Sequence, residues 1–207
     1  MNRFTRKDVE VIKEESGYQG FFRINRFTLR HRLFRGGWSE PMVRELFQRG
    51  SATCVLPYDP VLDEVVLIEQ FRIGCVGADA PWLLELVAGI NEAGEEPETV
   101  ARREALEEAD LELGTLEPVA KYWASPGGSD EQVQIFCGQV NAKGVDGIFG
   151  LAEEHEDIRV QAVNVQTAFE WVASGRINNA ATIIALQWLQ LHRDQLRARW
   201  LNPSREE

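Results

Sequence analysis

Glu104, Glu107 and Glu108 stand within five residues of one another, behind Arg102 and Arg103, in the run VARREALEEAD. At 3.6 residues per turn, these three carboxylates fall within roughly a 100° arc of one helix. Arg103 lies one turn before Glu107, placed to hold its carboxylate in one rotamer. Ala101, Ala105 and Ala109 form a smooth flank suited to close packing on a sheet. Like charges at this spacing repel by a few tenths of a kcal/mol per pair when solvated, and by more when partly buried. One arginine does not balance three of them. A hard divalent cation would: magnesium takes oxygen ligands, keeps several waters, and is held by a few carboxylates plus substrate phosphates. A solvated acidic face explains the same residues, and the helix alone leaves both readings open.

The surrounding elements must place that helix. Apolar WLLELVAG (82–89) reads as a strand ended by Gly89, and a five-residue loop leads to Glu95. Glu95 to Glu98, with Pro97 among them, read as a helix start, since proline suits the first turn and carboxylates the positive dipole end. The helix runs to about Ala109. SATCVLPY (51–58) and EVVLIEQFR (64–72) read as strands joined by a turn containing Pro60. Further strands are expected at LEPVAKYWA (116–124), EQVQIFCGQV (131–140) and IRVQAVNV (158–165), and helices at QTAFEWVAS (166–174) and AATIIALQWLQLH (180–192). The first fifty residues differ in texture. DVEVIKEE and GFFRINRFTLRHRLF alternate apolar and polar side chains, an antiparallel pattern with one wet face, and 42–50 reads as a strand or short helix. So small a sheet is marginal alone and should dock on something, such as a second subunit.

The expected architecture is α/β: a sandwich of helices on a mixed sheet, with a small antiparallel β appendage at the N-terminus. Its expected divisions are 1–50, 51–200 and a tail at 201–207. The chain is 44% hydrophobic and contains six tryptophans, which excludes a disordered protein. A net charge of −11 disfavours nucleic acid and anionic membrane as partners, yet allows a phosphate substrate where cations invert the local field. Cys54, Cys75 and Cys137 are odd in number and lack CxxC spacing, against structural zinc or a disulfide framework. With neither a signal-like segment nor an apolar run of membrane length, a reduced cytoplasmic setting is the expectation.

The spacing G-x5-E-x7-R-E-(apolar)-x-E-E is met at Gly89, Glu95, Arg103, Glu104, Ala105, Glu107 and Glu108, with Leu111 closing the run. It resembles the Nudix box, the signature of hydrolases acting on nucleoside diphosphates linked to another moiety. Asp110 departs from the pattern, standing where the family has a glycine that ends the helix in the left-handed conformation. Asp tolerates that conformation at a cost of roughly 1 kcal/mol, so Asp110 is expected to be a tolerated cap and not a ligand. Pro126, sixteen residues beyond Asp110 in SPGGSDE, resembles the mark of the branch that cleaves ADP-ribose. LRHRLF, VVLIEQFR, PWLLELVAG, EHEDIRV and IALQWLQLH extend the likeness over nearly the whole chain.

The resemblance implies magnesium-dependent hydrolysis of the diphosphate linkage of ADP-ribose, or of other ADP-sugars, to AMP and ribose 5-phosphate. It implies two or three Mg²⁺ ions, with Mn²⁺ as a substitute, held by Glu104, Glu108, the backbone carbonyl of Ala88 and Glu156. Glu107 is a further ligand or the partner of Arg103. Glu154 is the implied general base, with neighbouring Glu153 its rival. Substrate contacts are implied at Phe21, Phe22, Arg44, Glu45, Arg49, Arg72, Ile90, Ser125, Pro126, Gly127 and Glu131, with Gly89, Glu95 and Arg103 supporting the box. The implied assembly is a domain-swapped homodimer in which adenine stacks on the other subunit's aromatic pair. Two alternatives remain: a hydrolase of another nucleotide sugar such as GDP-mannose, and a non-catalytic module that senses ADP-ribose. Intact box glutamates disfavour the second.

Overall fold

The computed structural model describes residues 3–151 and 155–202. It divides into two compact units, Met1–Ser51 with Trp123–Gln132, and Ala52–Tyr122 with Val133–Glu207.

In the first unit, β1 (Val9–Gln19), β2 (Arg23–His31) and β3 (Met42–Gln48) form an antiparallel sheet in that order. The ambiguous segment after Pro41 is therefore a strand. Register shifts at Val11/Lys13 and Ser16/Tyr18 interrupt the β1–β2 ladder, and Glu10 faces Arg30 across it with an ion pair of 2.7 Å. Phe21 and Phe22, expected within a strand, instead occupy the turn between β1 and β2. There the requirement that one of two adjacent side chains face a core does not apply: Phe21 is 87% exposed and Phe22 half-buried. Trp123–Gln132 joins this unit through backbone bonds. Phe47 N–H donates to Gly128 O at 2.8 Å, and Asp130 N–H to Phe47 O at 3.2 Å.

The second unit is built on a mixed sheet whose order is β10-β11-β5-β4-β9-β8. The strands are β4 (Ser51–Asp59), β5 (Glu64–Phe71), β8 (Leu116–Trp123), β9 (Gln132–Gln139), β10 (Asp146–Phe149) and β11 (Ile158–Asn164). β4 and β5 pair only beside their turn, at Tyr58–Val65 and Asp59–Glu64. Beyond that they diverge, and the single apolar run 82–89 is shared between them as β6 (Trp82–Glu85) on β5 and β7 (Val87–Ile90) on β4. The turn itself is stiff. Buried Asp59 accepts from the N–H groups of Val61 (2.8 Å), Leu62 (3.0 Å) and Ala142 (2.8 Å), and Asp63 takes φ 59°.

Strand alternation assigns the two faces. Cys54, Leu56, Tyr58, Val65 and Leu67 pack with Leu186, Leu189 and Trp200 of α3 (Ala180–Leu201) and Phe169 of α2 (Val165–Ala173). Val55, Val66, Ile68 and Val87 pack with Ala101, Ala105 and Ala109 of α1 (Pro97–Ala109). The expected alanine flank is thus the buried face of α1, and small side chains let the helix lie close to the strands. This is the α/β/α sandwich expected from the sequence. β10 is an additional short strand, and α3 continues past 192 because Leu196 and Trp200 extend its buried face.

Candidate active site

α1 begins at Pro97, which suits a first-turn position whose N–H has no partner inside the helix. It ends at Asp110, which adopts φ 52°, ψ 41°. Asp110 N–H donates to Leu106 O at 3.0 Å, the bond of a left-handed C-cap, and Leu111 N–H donates to Ala105 O at 2.9 Å. Asp110 is solvent-exposed and stands at the helix exit, as expected of a cap.

The three α1 glutamates occupy graded depths. Glu108 is 3% exposed, and its carboxyl accepts the Ala88 N–H at 3.0 Å. Burial pushes its pKa up to about 8, the Ala88 bond opposes this, and negative Glu104 and Glu156 add to the rise. Glu104 is half-buried, and burial raises its pKa against the pull of Arg103. Glu107 is exposed. Arg103 ties them together: Nη1 lies 2.7 Å from Glu104 and 3.1 Å from Glu107, while Nε bonds Glu95 at 3.2 Å. Glu95 therefore anchors the loop preceding α1 to the helix, and its carboxyl is held below the ordinary range by Arg103.

Gly89 in β7 packs directly on Glu104. A Cβ built at Gly89 would lie 1.7 Å from Oε1 and 2.5 Å from Cγ, so only glycine admits Glu104 in this position. Arg72, just after β5, donates Nε to Glu85 Oε2 at 2.5 Å and is close enough to Glu108 to favour its ionised form. Glu156 Oε2 accepts the Leu151 N–H at 3.2 Å. Glu154 and Glu153 lie outside the described residues.

In the first unit a second group of expected contacts assembles. Phe22 packs edge-on against both Phe21 (4.7 Å between centroids) and Phe47 (5.0 Å). The Arg49 guanidinium lies 5.6 Å above the Phe22 ring, and its Nε is 3.0 Å from Glu131. Asp130 receives the N–H groups of Arg49 (2.8 Å) and Gly50 (3.3 Å). Ser125, Pro126 and Gly127 form a turn in which Ser125 O accepts from Gly128 and Ser129. Arg44 and Glu45 sit in β3 opposite Phe27 and Arg26, exposed, apart from these contacts. Ile90, exposed at the end of β7, pairs with Ala52 in the second unit.

Sequence reasoning passed over Phe47, Asp130 and Glu85. The acid in the SPGGSDE turn was a usable signal for Asp130. Nothing local marks the others, which acquire partners only through sheet pairing.

The oxygen donor set fits a hard divalent cation. Glu108 is buried among negative neighbours and stays protonated to about pH 8, and a cation beside it would bring it into the ionised, ligating form. Among the described residues, no three carboxylate, histidine or cysteine side chains already converge into a closed cage.

Known proteins are similar to this chain in sequence or in fold. A family model described as "NUDIX domain" matches residues 48–188. The chain is 52% identical over 198 residues to a protein of Escherichia coli (strain K12) named ADP-ribose pyrophosphatase, covering 95% of each chain. It is 30% identical over 188 residues to a GDP-mannose pyrophosphatase of Yersinia enterocolitica, covering 89% of this chain and 96% of that one. A crystal structure titled as an ADP compounds hydrolase superposes with a TM-score of 0.72 at 18% identity, covering 94% of this chain and 99% of its own.

Proposed function

Because this chain belongs to the NUDIX family, we propose that it is an ADP-ribose diphosphatase, hydrolysing the diphosphate linkage of ADP-ribose to AMP and ribose 5-phosphate. One observation carries this reading. The near full-length identity of 52% is to a protein named for that substrate, whereas identity to the protein named for GDP-mannose is 30%. Other ADP-sugars are secondary substrates.

Glu104, Glu108 and the Ala88 carbonyl would hold the cations, two or three Mg²⁺ ions, with Glu156 joining from the segment before β11. Bound there, magnesium would supply charge neutralisation of the diphosphate and a lowered pKa for the attacking water. Glu154 takes the water's proton, and Glu153 is the alternative base. Arg72 binds the diphosphate through its charge. Arg103 holds Glu107 and Glu95, so the loop after β7 keeps its course beside Glu104. Positioning and charge neutralisation carry the rate, and no covalent nucleophile is required.

Phe21 and Phe22 provide the stacking surface for adenine. Arg49 and Glu131, with Arg44, Glu45 and the Ser125–Gly127 turn, contribute polar contacts, supplied across a domain-swapped homodimer. The compartment is the cytoplasm; among the described residues no helix is long and apolar enough to cross a membrane.

Release of AMP from ADP-ribose with Mg²⁺, compared with GDP-mannose and other nucleotide sugars by kcat/KM, tests the assignment. No turnover of any ADP-sugar, or a kcat/KM for GDP-mannose above that for ADP-ribose, overturns it.

A further inference from the structure

We propose that Glu85, backed by Gln70, is a positioning residue that holds Arg72 with its guanidinium fork free for the substrate diphosphate. The inference rests on the hydrolase reading above and adds residues outside the box.

Three observations converge on β5 and β6. First, Arg72 Nε donates to Glu85 Oε2 at 2.5 Å, a charge-assisted bond, while Nη1 and Nη2 make no hydrogen bond to the described residues. Second, the pair is asymmetric in depth. The Glu85 side chain is 16% exposed and that of Arg72 41%, so the carboxylate is the fixed end and the guanidinium the reaching end. The Arg72 backbone is held as well, its N–H donating to Pro81 O at 2.9 Å. Third, Gln70 is buried at 7% exposure with its Nε2 unpartnered. Gln70 pairs with Leu83 and Ile68 with Glu85, so Gln70 and Glu85 are diagonal neighbours on one face of the β5–β6 pair. Gln70 Nε2 has no partner in the structure, and the oxygen of half-buried Glu85 that Arg72 leaves open is the acceptor proposed for it.

Glu85 also answers a charge problem. Gln70 and Glu85 share a face of the β5–β6 pair with Ile68, which packs against α1, the helix that carries Glu104 and Glu108. An unanchored arginine there would fold onto the carboxylates that await cations. Engaging Nε alone keeps the positive charge local and leaves two parallel N–H donors, the geometry that matches phosphate oxygens.

The test is a double-mutant cycle on the full chain: wild type, E85Q, R72A and E85Q/R72A. Each is assayed with Mg²⁺ on whichever nucleotide sugar of the panel the wild type hydrolyses, with melting temperature and Mn²⁺ affinity measured alongside. The expected results for E85Q are a KM raised about 10-fold with kcat changed less, an unaltered Mn²⁺ affinity, and no further loss when E85Q is added to R72A. E85D, which keeps the charge, recovers part of the loss, and Q70L reproduces a weaker version of E85Q. Multiplicative losses in the cycle, an unchanged KM in E85Q, or a fall in Mn²⁺ affinity that makes Glu85 a ligand would each overturn the proposal. A wild type that cleaves only nucleotide sugars other than ADP-sugars overturns the substrate reading and leaves the cycle interpretable.

Discussion

Gly89 and Glu104 are in direct contact across the β7–α1 interface, with the Glu104 carboxylate filling the space a Cβ at Gly89 would need, 1.7 Å from Oε1. Glycine at 89 is therefore a packing requirement of the acid at 104. Gly89→Ala must displace Glu104 and is expected to lower kcat by roughly 10- to 100-fold, since misplacement of a reacting group by about 1 Å costs on that order. Because the clash falls on a side chain, the melting temperature should fall only slightly. Steady-state kinetics beside a thermal melt checks this, and unchanged kcat would sink it.

Glu108 couples protonation to stability. Its folded pKa, about 8, lies above the ordinary 4.5. Between those values the folded chain keeps a proton that the unfolded chain has released, so in EDTA the contribution of Glu108 to stability is full below pH 4.5, falls as pH rises, and levels off above about 8. Glu108→Gln keeps an acceptor for the Ala88 N–H and cannot ionise. It should remove this decline, by a few kcal/mol at the alkaline end, while abolishing turnover. Melting temperature against pH in EDTA is the measurement, and parallel curves for the two proteins would refute it.

Asp63 holds the β4–β5 turn to α3. Its carboxylate accepts Tyr58 OH and Arg193 Nε, each at 2.8 Å, and lies 4.0 Å from Arg197. Burial pushes its pKa up, but the bonds from Arg193 and Tyr58 outweigh this and leave it lowered. The stabilisation is present above the ordinary 3.8 and is lost as pH falls through the folded value. Asp63→Asn tolerates the left-handed backbone, so its cost isolates the charge, about 1.5–3 kcal/mol by urea denaturation at pH 7. A cost near zero would show the network to be incidental.

Asp110→Gly should stabilise the protein by about 0.5–1 kcal/mol, since a glycine enters the left-handed region freely. Its kcat should match the wild type, because Asp110 caps α1 and faces solvent. A large loss of activity would instead assign Asp110 a part in the chemistry.

Much of this was legible in the sequence because it is periodic or closely spaced. The arc of Glu104, Glu107 and Glu108, the alanine flank, the cap at Asp110 and the alternation of β4 and β5 all follow from the repeat lengths of helix and strand. Phe21 and Phe22 were harder to place: strand alternation and a hairpin turn read alike where aromatic residues border a glycine. The run 82–89 concealed its division into β6, which pairs with β5, and β7, which pairs with β4, because both halves are equally apolar.

By itself the sequence determined which residue types lie together along α1, and hence that an alanine flank would pack on a sheet beside an arc of carboxylates. Tertiary structure decided how those carboxylates differ. Depth is a property of packing, so Glu108 becomes a buried acid, Glu104 a half-buried one and Glu107 a surface partner of Arg103. Pairing across β5 and β6 likewise joined Arg72 to Glu85, thirteen residues apart, through a register that no local pattern encodes.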